Sequence, residues 1–156
     1  MVALDLIRTA KKLATGGIGR PLQSDLRRSI STAYYALFHC IARAYADALI
    51  GTNFQTRDDL AWKQAYRSIT HTQISRCCNR PEIMRKFSRE IRQFGVVFSE
   101  LQILREEADY DLSEIYFRSE VLKDIQRAER VIKEFKKSKI HDRKAFVTYA
   151  TTKYRR

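Results

Sequence analysis

The segment Ser31-Thr-Ala-Tyr-Tyr-Ala-Leu-Phe-His39 is the most informative part of the sequence for the fold. It lies in the middle of the longest helical pattern of the chain. From Leu22 to about Ile50 the apolar side chains recur with the 3.6-residue period of an amphipathic α-helix. Within the segment a serine, two tyrosines, a phenylalanine and the histidine fall at i, i+3, i+4, i+7 and i+8, so they share one helix face. That face carries hydroxyls, aromatic rings and an imidazole.

Two interpretations of this face are open. In the first, Tyr34, Tyr35 and Phe38 pack in the core or at a dimer interface, and His39 is hydrogen-bonded inside the bundle. In the second, the same side chains line a functional cleft. The sequence alone does not decide between them.

Length and composition favour one all-α domain. The chain has 156 residues, of which 44% are hydrophobic, and it contains only five glycines and two prolines. Further helical patterns occupy residues 3–15 and begin near Asp58, Pro81 and Ser119, with a connector at 75–80. The pattern that begins at Pro81 has one long apolar stripe and should pack antiparallel to the helix at 22–50.

We therefore predict an antiparallel four- to five-helix bundle in residues 1–135, with a short N-terminal helix at 3–15 and the core at 22–135. Residues 136–156 are predicted to form a basic C-terminal extension. This extension holds eight basic residues and one acid, so it supplies +7 of the formal net charge of +12.

Several classes of site are not indicated by the sequence. The three histidines have no His or Cys partner at helical spacing, the three cysteines lack C-x-x-C spacing, and no glycine loop follows a strand pattern. No segment reaches the roughly 18 apolar residues of a spanning helix, and the first twenty residues carry charges throughout. We expect a cytoplasmic protein with no metal, no cofactor and no membrane contact.

A second segment, Arg105-Glu-Glu-Ala-Asp-Tyr110, follows the aromatic segment at residues 31–39. Together the two segments resemble the HEPN (higher eukaryotes and prokaryotes nucleotide-binding) domains of prokaryotes, over roughly Leu22 to Phe135. The resemblance implies a helical bundle that dimerises. In active members it implies a metal-independent RNA-cleaving site, built from an arginine followed after four to six residues by a histidine, in a cleft between the protomers.

In this chain the arginine corresponds to Arg105, and Tyr110 stands where the histidine is expected. Glu106 stands where active members tend to carry Asn, Asp or His. Cleavage by the 2′-hydroxyl needs proton transfer near pH 7, which suits an imidazole with a pKa of about 6.5 better than a phenol with a pKa near 10. In the catalytic hypothesis Arg105 contacts phosphate, Tyr110 and Asp109 orient it, and His39 or His71 supplies the missing imidazole. The alternative for Arg105 is an ion pair with a neighbouring carboxylate.

Candidate nucleic-acid-binding residues combine basic, aromatic and orienting side chains. They are Arg28, Tyr35, Asp109, Arg85, Arg89, Lys136 and Lys137. In the C-terminal extension, Phe146, Tyr149 and Tyr154 interleave with basic residues, which is the composition of a segment that binds single strands. The alternative for this extension is a solvated helix end with a frayed terminus.

The predicted function is binding of RNA or a nucleotide at a homodimer cleft, and a degenerate metal-independent endoribonuclease is the enzymatic form of this hypothesis. The alternative is a protein-interaction module, such as the helical component of a toxin–antitoxin pair, whose basic surface meets an acidic partner. The logarithm of the affinity for nucleic acid should fall linearly with the logarithm of the salt concentration, with a slope set by the number of phosphates neutralised, whereas an affinity that ignores salt would favour the partner protein.

Overall fold

The computed structural model describes residues 2–153 and 155, which form helices and no strand. The helices are α1 Val2–Thr15, α2 Gln23–Ile50, α3 Asp59–Ser68, α4 His71–Cys78, α5 Pro81–Met84, α6 Arg89–Tyr110, α7 Arg118–Lys137 and α8 Ile140–Thr151. These helices pack around one hydrophobic core. The prediction of an all-α helical bundle is confirmed.

Helices α2 and α6 lie antiparallel at the centre of the bundle. Near the start of α2, Arg27 donates a hydrogen bond of 3.0 Å to the carbonyl of Ala108 near the end of α6. Farther along α2 the ring of Tyr34 lies 5.3 Å from that of Phe98, centroid to centroid. The apolar stripe recognised in the sequence is buried along its whole length, and consists of Ile83, Phe87, Ile91, Phe94, Phe98 and Leu101.

Helix α1 closes one side of the bundle against α2 and α7. Its buried face carries Ala3, Ala10 and Ala14, whose small side chains let α2 approach closely. The hydroxyl of Ser29, fully buried on α2, donates to the carbonyl of Ala10 at 3.0 Å. Arg118, the first residue of α7, donates to the carbonyl of Ala14 at 2.9 Å. These two hydrogen bonds connect α1 to α2 and to α7.

The connector predicted at 75–80 is wrong, because residues 71–78 form α4. Thr70 caps this helix by accepting a hydrogen bond from the backbone N–H of Gln73. The single helix predicted to run on from Pro81 is also interrupted after one turn, and α6 begins only at Arg89. In the intervening link Phe87 is buried against Phe146 and Tyr149 of α8, at ring distances of 5.7 and 6.2 Å. The helix that starts at Pro81 is therefore broken where the Phe87 ring packs against α8.

The segment predicted as a basic extension contributes to the core. Helix α7 continues to Lys137, and Phe146, Val147 and Ala150 of α8 are buried in the same cluster as α2 and α6. The residues after 135 are therefore part of the helical bundle and not a separate extension. Tyr154, which belonged to the predicted base-stacking set, lies outside the described residues.

Among residues 2–153 and 155, no helix has the length and apolar character needed to cross a bilayer.

Candidate functional site

Arg105 on α6 is packed against the aromatic face of α2. Its guanidinium carbon lies 5.0 Å from the ring centre of Tyr34 and 5.8 Å from that of Tyr35, and only 14% of the side chain is exposed. One terminal nitrogen lies 3.7 Å from a carboxylate oxygen of Asp109, and the Nε atom is buried without a hydrogen-bond partner among the described residues. Arg105 is therefore a partly desolvated cation whose donors are incompletely used.

His71 reaches the same aromatic face from the start of α4. Its Nδ1 atom lies 2.5 Å from the hydroxyl oxygen of Tyr34, and its ring stacks on Phe38 at 4.0 Å and 20°. Burial lowers the pKa of His71 below its ordinary value, and the positive charge of Arg105 lowers it further. The imidazole is accordingly neutral at pH 7.

Tyr34 is fully buried and joins the other members of this group. Burial raises the pKa of its phenol well above 10, so the hydroxyl keeps its proton. The hydrogen bond to His71 is then satisfied by either imidazole tautomer, with the Tyr34 hydroxyl as donor or as acceptor. The group is called the Arg105 cluster below, and it consists of Tyr34, Tyr35, Phe38, His71, Arg105 and Asp109.

The Arg105 cluster combines a cationic donor with a neutral imidazole on two shared tyrosine rings. His71 stacks on Tyr34 at 5.5 Å and meets Tyr35 edge-on at 5.8 Å, the same two rings that Arg105 contacts. A guanidinium can bind a phosphate oxygen, and a neutral imidazole can donate to it or accept a proton near it. Arg105 and His71 were both predicted from the sequence as site residues, but the sequence could not show that they lie together.

Tyr110 does not take part in the cluster. It is the last residue of α6, follows Arg105 by five positions and is 78% exposed. Five residues rotate a helix by about 140° beyond a full turn, so the two side chains leave α6 in different directions. Asp109, four residues after Arg105, lies on the same face and forms the ion pair. The arginine–tyrosine pair implied by the resemblance is thus not brought together within this chain.

His39 belongs to a different group, one turn farther along α2. Its Nδ1 atom is hydrogen-bonded to the hydroxyl of Tyr66, on which its ring stacks at 5.6 Å. The ring of Tyr66 lies 5.2 Å from that of Trp62, and the indole N–H donates to Asp47 at 2.9 Å. Burial lowers the pKa of His39 below its ordinary value. The first interpretation of the aromatic face therefore applies to these two residues. Tyr34 packs in the core, and His39 is hydrogen-bonded inside the bundle.

This second group lines a cavity of about 600 Å³ that is bounded by α1, α2, α3, α7 and α8. Basic side chains from three helices reach it, namely Arg43, Lys136, Arg143 and Lys144. Sequence reasoning named Lys136 and His39 but missed the other basic residues, and it did not connect Trp62 or Tyr66 with a site. A signal existed on α2, where His39, Arg43 and Asp47 follow one another at intervals of four residues.

The other candidate nucleic-acid-binding residues are dispersed. Arg28 and Arg85 are exposed at the start of α2 and just after α5. Arg89 and Lys137 line a separate groove of about 380 Å³, together with the carboxylates of Glu90 and Glu134. Phe146 is fully buried and Tyr149 packs on Phe87 under the ammonium of Lys86, so neither ring is free to stack on bases.

Among the described residues, no group of three or more His, Cys, Asp or Glu side chains is placed to hold a metal ion. Comparisons with protein-family models, with curated proteins and with solved structures gave no match to this chain. The fold and site together define an all-α helical bundle with a partly buried arginine–tyrosine–histidine cluster.

Proposed function

We propose that this protein is a HEPN-like homodimeric domain that binds a phosphate of RNA or of a nucleotide at the Arg105 cluster. The observation that carries the proposal is the state of Arg105. Its guanidinium is held over Tyr34 and Tyr35, the side chain is 14% exposed, and its only ion pair within residues 2–153 and 155 is the one of 3.7 Å to Asp109. A phosphate oxygen would satisfy donors that Asp109 leaves unused, through charge-assisted hydrogen bonds.

The surrounding charges limit the size of this contact. The chain as a whole carries a formal charge of +12, which attracts polyanions. Immediately after Arg105, however, Glu106 and Glu107 are exposed and repel further phosphates. The cluster therefore suits one or two phosphates rather than a long stretch of backbone, and the salt dependence of binding at this site should be correspondingly shallow.

Cleavage is a second candidate function, and one observation favours it. His71 is a neutral imidazole packed on the same two rings as Arg105. If its Nδ1–H donates to Tyr34, its Nε2 atom can take the proton of a 2′-hydroxyl as that oxygen attacks phosphorus. The imidazolium formed in this way can then return the proton to the 5′-oxygen as the P–O5′ bond breaks. Arg105 would stabilise the charge on the phosphorane. If instead Tyr34 donates to Nδ1, then Nε2 carries a proton and the cluster only binds.

The homodimer is supported by an apolar surface next to the cluster. Residues 110–117 expose four large side chains, Tyr110, Leu112, Ile115 and Phe117, each with more than 60% of its surface accessible. This segment is held in place from α2, because Arg27 donates to the carbonyls of Asp111 at 2.6 Å and Glu114 at 2.5 Å. An ordered apolar surface of this kind is typical of a protein interface.

The binding experiment uses a labelled single-stranded RNA oligonucleotide in a buffer that contains a chelator, with affinity measured by fluorescence anisotropy. Arg105→Ala should weaken binding by ten- to a hundredfold, which corresponds to the loss of a charge-assisted hydrogen bond. Arg8→Ala is the matched control, since it removes an equal charge from an exposed site on α1. If both variants weaken binding equally, only net charge matters and the site is wrong. Binding that ignores salt would favour the protein-interaction alternative.

The same samples test cleavage on a denaturing gel. RNA that is cut by the wild-type protein in chelator, but not by Arg105→Ala or His71→Asn, supports the ribonuclease. RNA that stays intact with all three proteins restricts the function to binding.

A further inference from the structure

The cavity of about 600 Å³ is a second site, and neither Arg105 nor His71 lines it. We propose that it binds a small organic anion in which a flat ring carries one carboxylate or phosphate. This proposal does not depend on the function of the Arg105 cluster. The volume is within the range of roughly 300–1,000 Å³ that is usual for small-molecule sites.

The charge of the cavity favours an anion. Four basic side chains line it, Arg43, Lys136, Arg143 and Lys144, against the single carboxylate of Asp47. This carboxylate is already engaged, because one oxygen accepts from the indole of Trp62 at 2.9 Å and lies 3.7 Å from Arg57. Its other oxygen lies 3.7 Å from the Nε atom of Arg43. Arg143 also donates to the carbonyls of Lys136 and Ser138. Among the described lining residues, four basic side chains and one carboxylate still leave a formal charge of +3.

One of these cations is partly desolvated. Burial lowers the pKa of the Lys136 ammonium below its ordinary value, and the charge of Arg43 acts in the same direction. A bound carboxylate or phosphate would offset both effects, because an opposite charge favours the protonated amine. Ile140, which also lines the cavity, is the first residue of α8, so the positive end of that helix dipole lies at the rim.

Aromatic side chains form a preorganised part of the lining. Trp62 and Tyr66 come from successive turns of α3, and His39 stacks on Tyr66. Behind Trp62 the guanidinium of Arg57 lies 4.2 Å from the ring centre, with only 10% of its side chain exposed. Rings held in this way would contact a flat ligand with little loss of side-chain entropy.

The space between charge and rings is apolar and comes from small residues. Ala44 and Ala48 of α2 line the cavity at i and i+4, and Phe135 of α7 closes one side. A ligand that is only charged would not cover this apolar surface, and a ligand that is only apolar would place no negative charge beside the basic side chains. The combination selects an amphipathic anion.

The test uses Trp62 as its reporter, because the chain contains a single tryptophan. Two anions, adenosine 5′-monophosphate and phenylacetate, distinguish a phosphate from a carboxylate, and adenosine and phenylacetamide are their uncharged counterparts. Each compound is titrated to millimolar concentration while the tryptophan emission and the melting temperature are followed. At least one anion should change the emission with saturation and bind about tenfold more tightly than its uncharged counterpart.

Two variants remove charge from the cavity at exposed positions, Arg43→Met and Lys144→Met, and each should weaken the bound anion by about tenfold. Lys123→Met, on the exposed face of α7, is the matched control and should bind as the wild type does. Melting temperatures show whether each variant is folded. The proposal is overturned if neither anion binds, if an uncharged counterpart binds as tightly, or if the cavity variants and the control lose affinity equally.

Discussion

The hydroxyl of Tyr34 and the Nδ1 atom of His71 are 2.5 Å apart, and this hydrogen bond connects the central helix α2 to the first residue of α4. Tyr34 is fully buried and His71 half-buried, so the two partners satisfy each other where water has little access. The bond fixes the imidazole on the rings that also hold Arg105. The arrangement of the cluster depends on this contact.

Replacing Tyr34 by Phe should lower the free energy of unfolding by about 1–2 kcal/mol, because the ring remains but the half-buried Nδ1 atom loses its partner. Urea denaturation monitored by circular dichroism measures the change. Tyr35→Phe is the matched control, since Tyr35 is the neighbouring residue, is half-buried, and has no hydrogen bond through its hydroxyl among the described contacts. It should change stability by less than about 0.5 kcal/mol. Equal effects of the two variants would contradict the importance of this bond.

Stability should decrease as the pH falls from about 7 to 5. Burial holds the pKa values of His39 and His71 below their ordinary value of 6.5. The unfolded chain therefore binds protons at a higher pH than the folded chain does. The stabilisation that the two neutral histidines contribute is complete above their pKa in the unfolded chain. It is lost as the pH falls through 6.5 toward their pKa values in the folded protein. Urea denaturation across this range should show the decline, and the double variant His39→Asn/His71→Asn should flatten it. An unchanged slope in the double variant would contradict these shifts.

Helix α8 should be required for the stability of the whole bundle. Phe146→Ala removes a fully buried ring that contacts Phe87, Phe94 and Phe135, and should cost about 3–5 kcal/mol. Thr148→Ala, at an exposed position of the same helix, should change stability by less than about 0.5 kcal/mol. Thermal denaturation of the two variants measures these changes. If residues 136–156 were a tail outside the fold, both substitutions would change stability by small and similar amounts.

The helices with strong apolar periodicity were predictable, and those fixed by tertiary contacts were not. The stripe from Ile83 to Leu101 was recognised because every member faces the core. The break at 85–88 was missed because it depends on Phe87 packing against α8, a contact between residues distant in sequence. Helix α4 was missed because it has only eight residues, of which Ile74 and Cys77 are buried, too few for a clear period.

The parts of the site were predictable from the sequence, but their grouping was not. Arg105, His71 and Tyr35 were named separately, and only the packing of α4 and α6 on α2 brings them together. The pairing of Arg105 with Tyr110 came from a resemblance in linear spacing, which does not record that a helix turns the two side chains apart. The cavity was missed because Arg143 and Lys144 lie on α8, the helix that was expected to be an extension.

The homodimer hypothesis predicts a mass in solution twice that of one chain, measured by light scattering. Leu112→Asp should shift the protein toward the monomer, because Leu112 is 86% exposed in the apolar segment at 110–117. Leu60→Asp introduces the same change at a 78% exposed position on α3 and should leave the dimer intact. A wild-type protein that is monomeric at all concentrations would exclude the shared cleft.

The most direct test of phosphate binding at the Arg105 cluster is the pKa of His71, followed by the NMR signals of its ring with and without single-stranded RNA. The account predicts a pKa below 6.5 in the free protein that rises when RNA is added, because a phosphate beside the imidazole favours its cationic form. In Arg105→Ala the rise at His71 should disappear. RNA that binds the protein but leaves the titration of His71 unchanged would contradict the account.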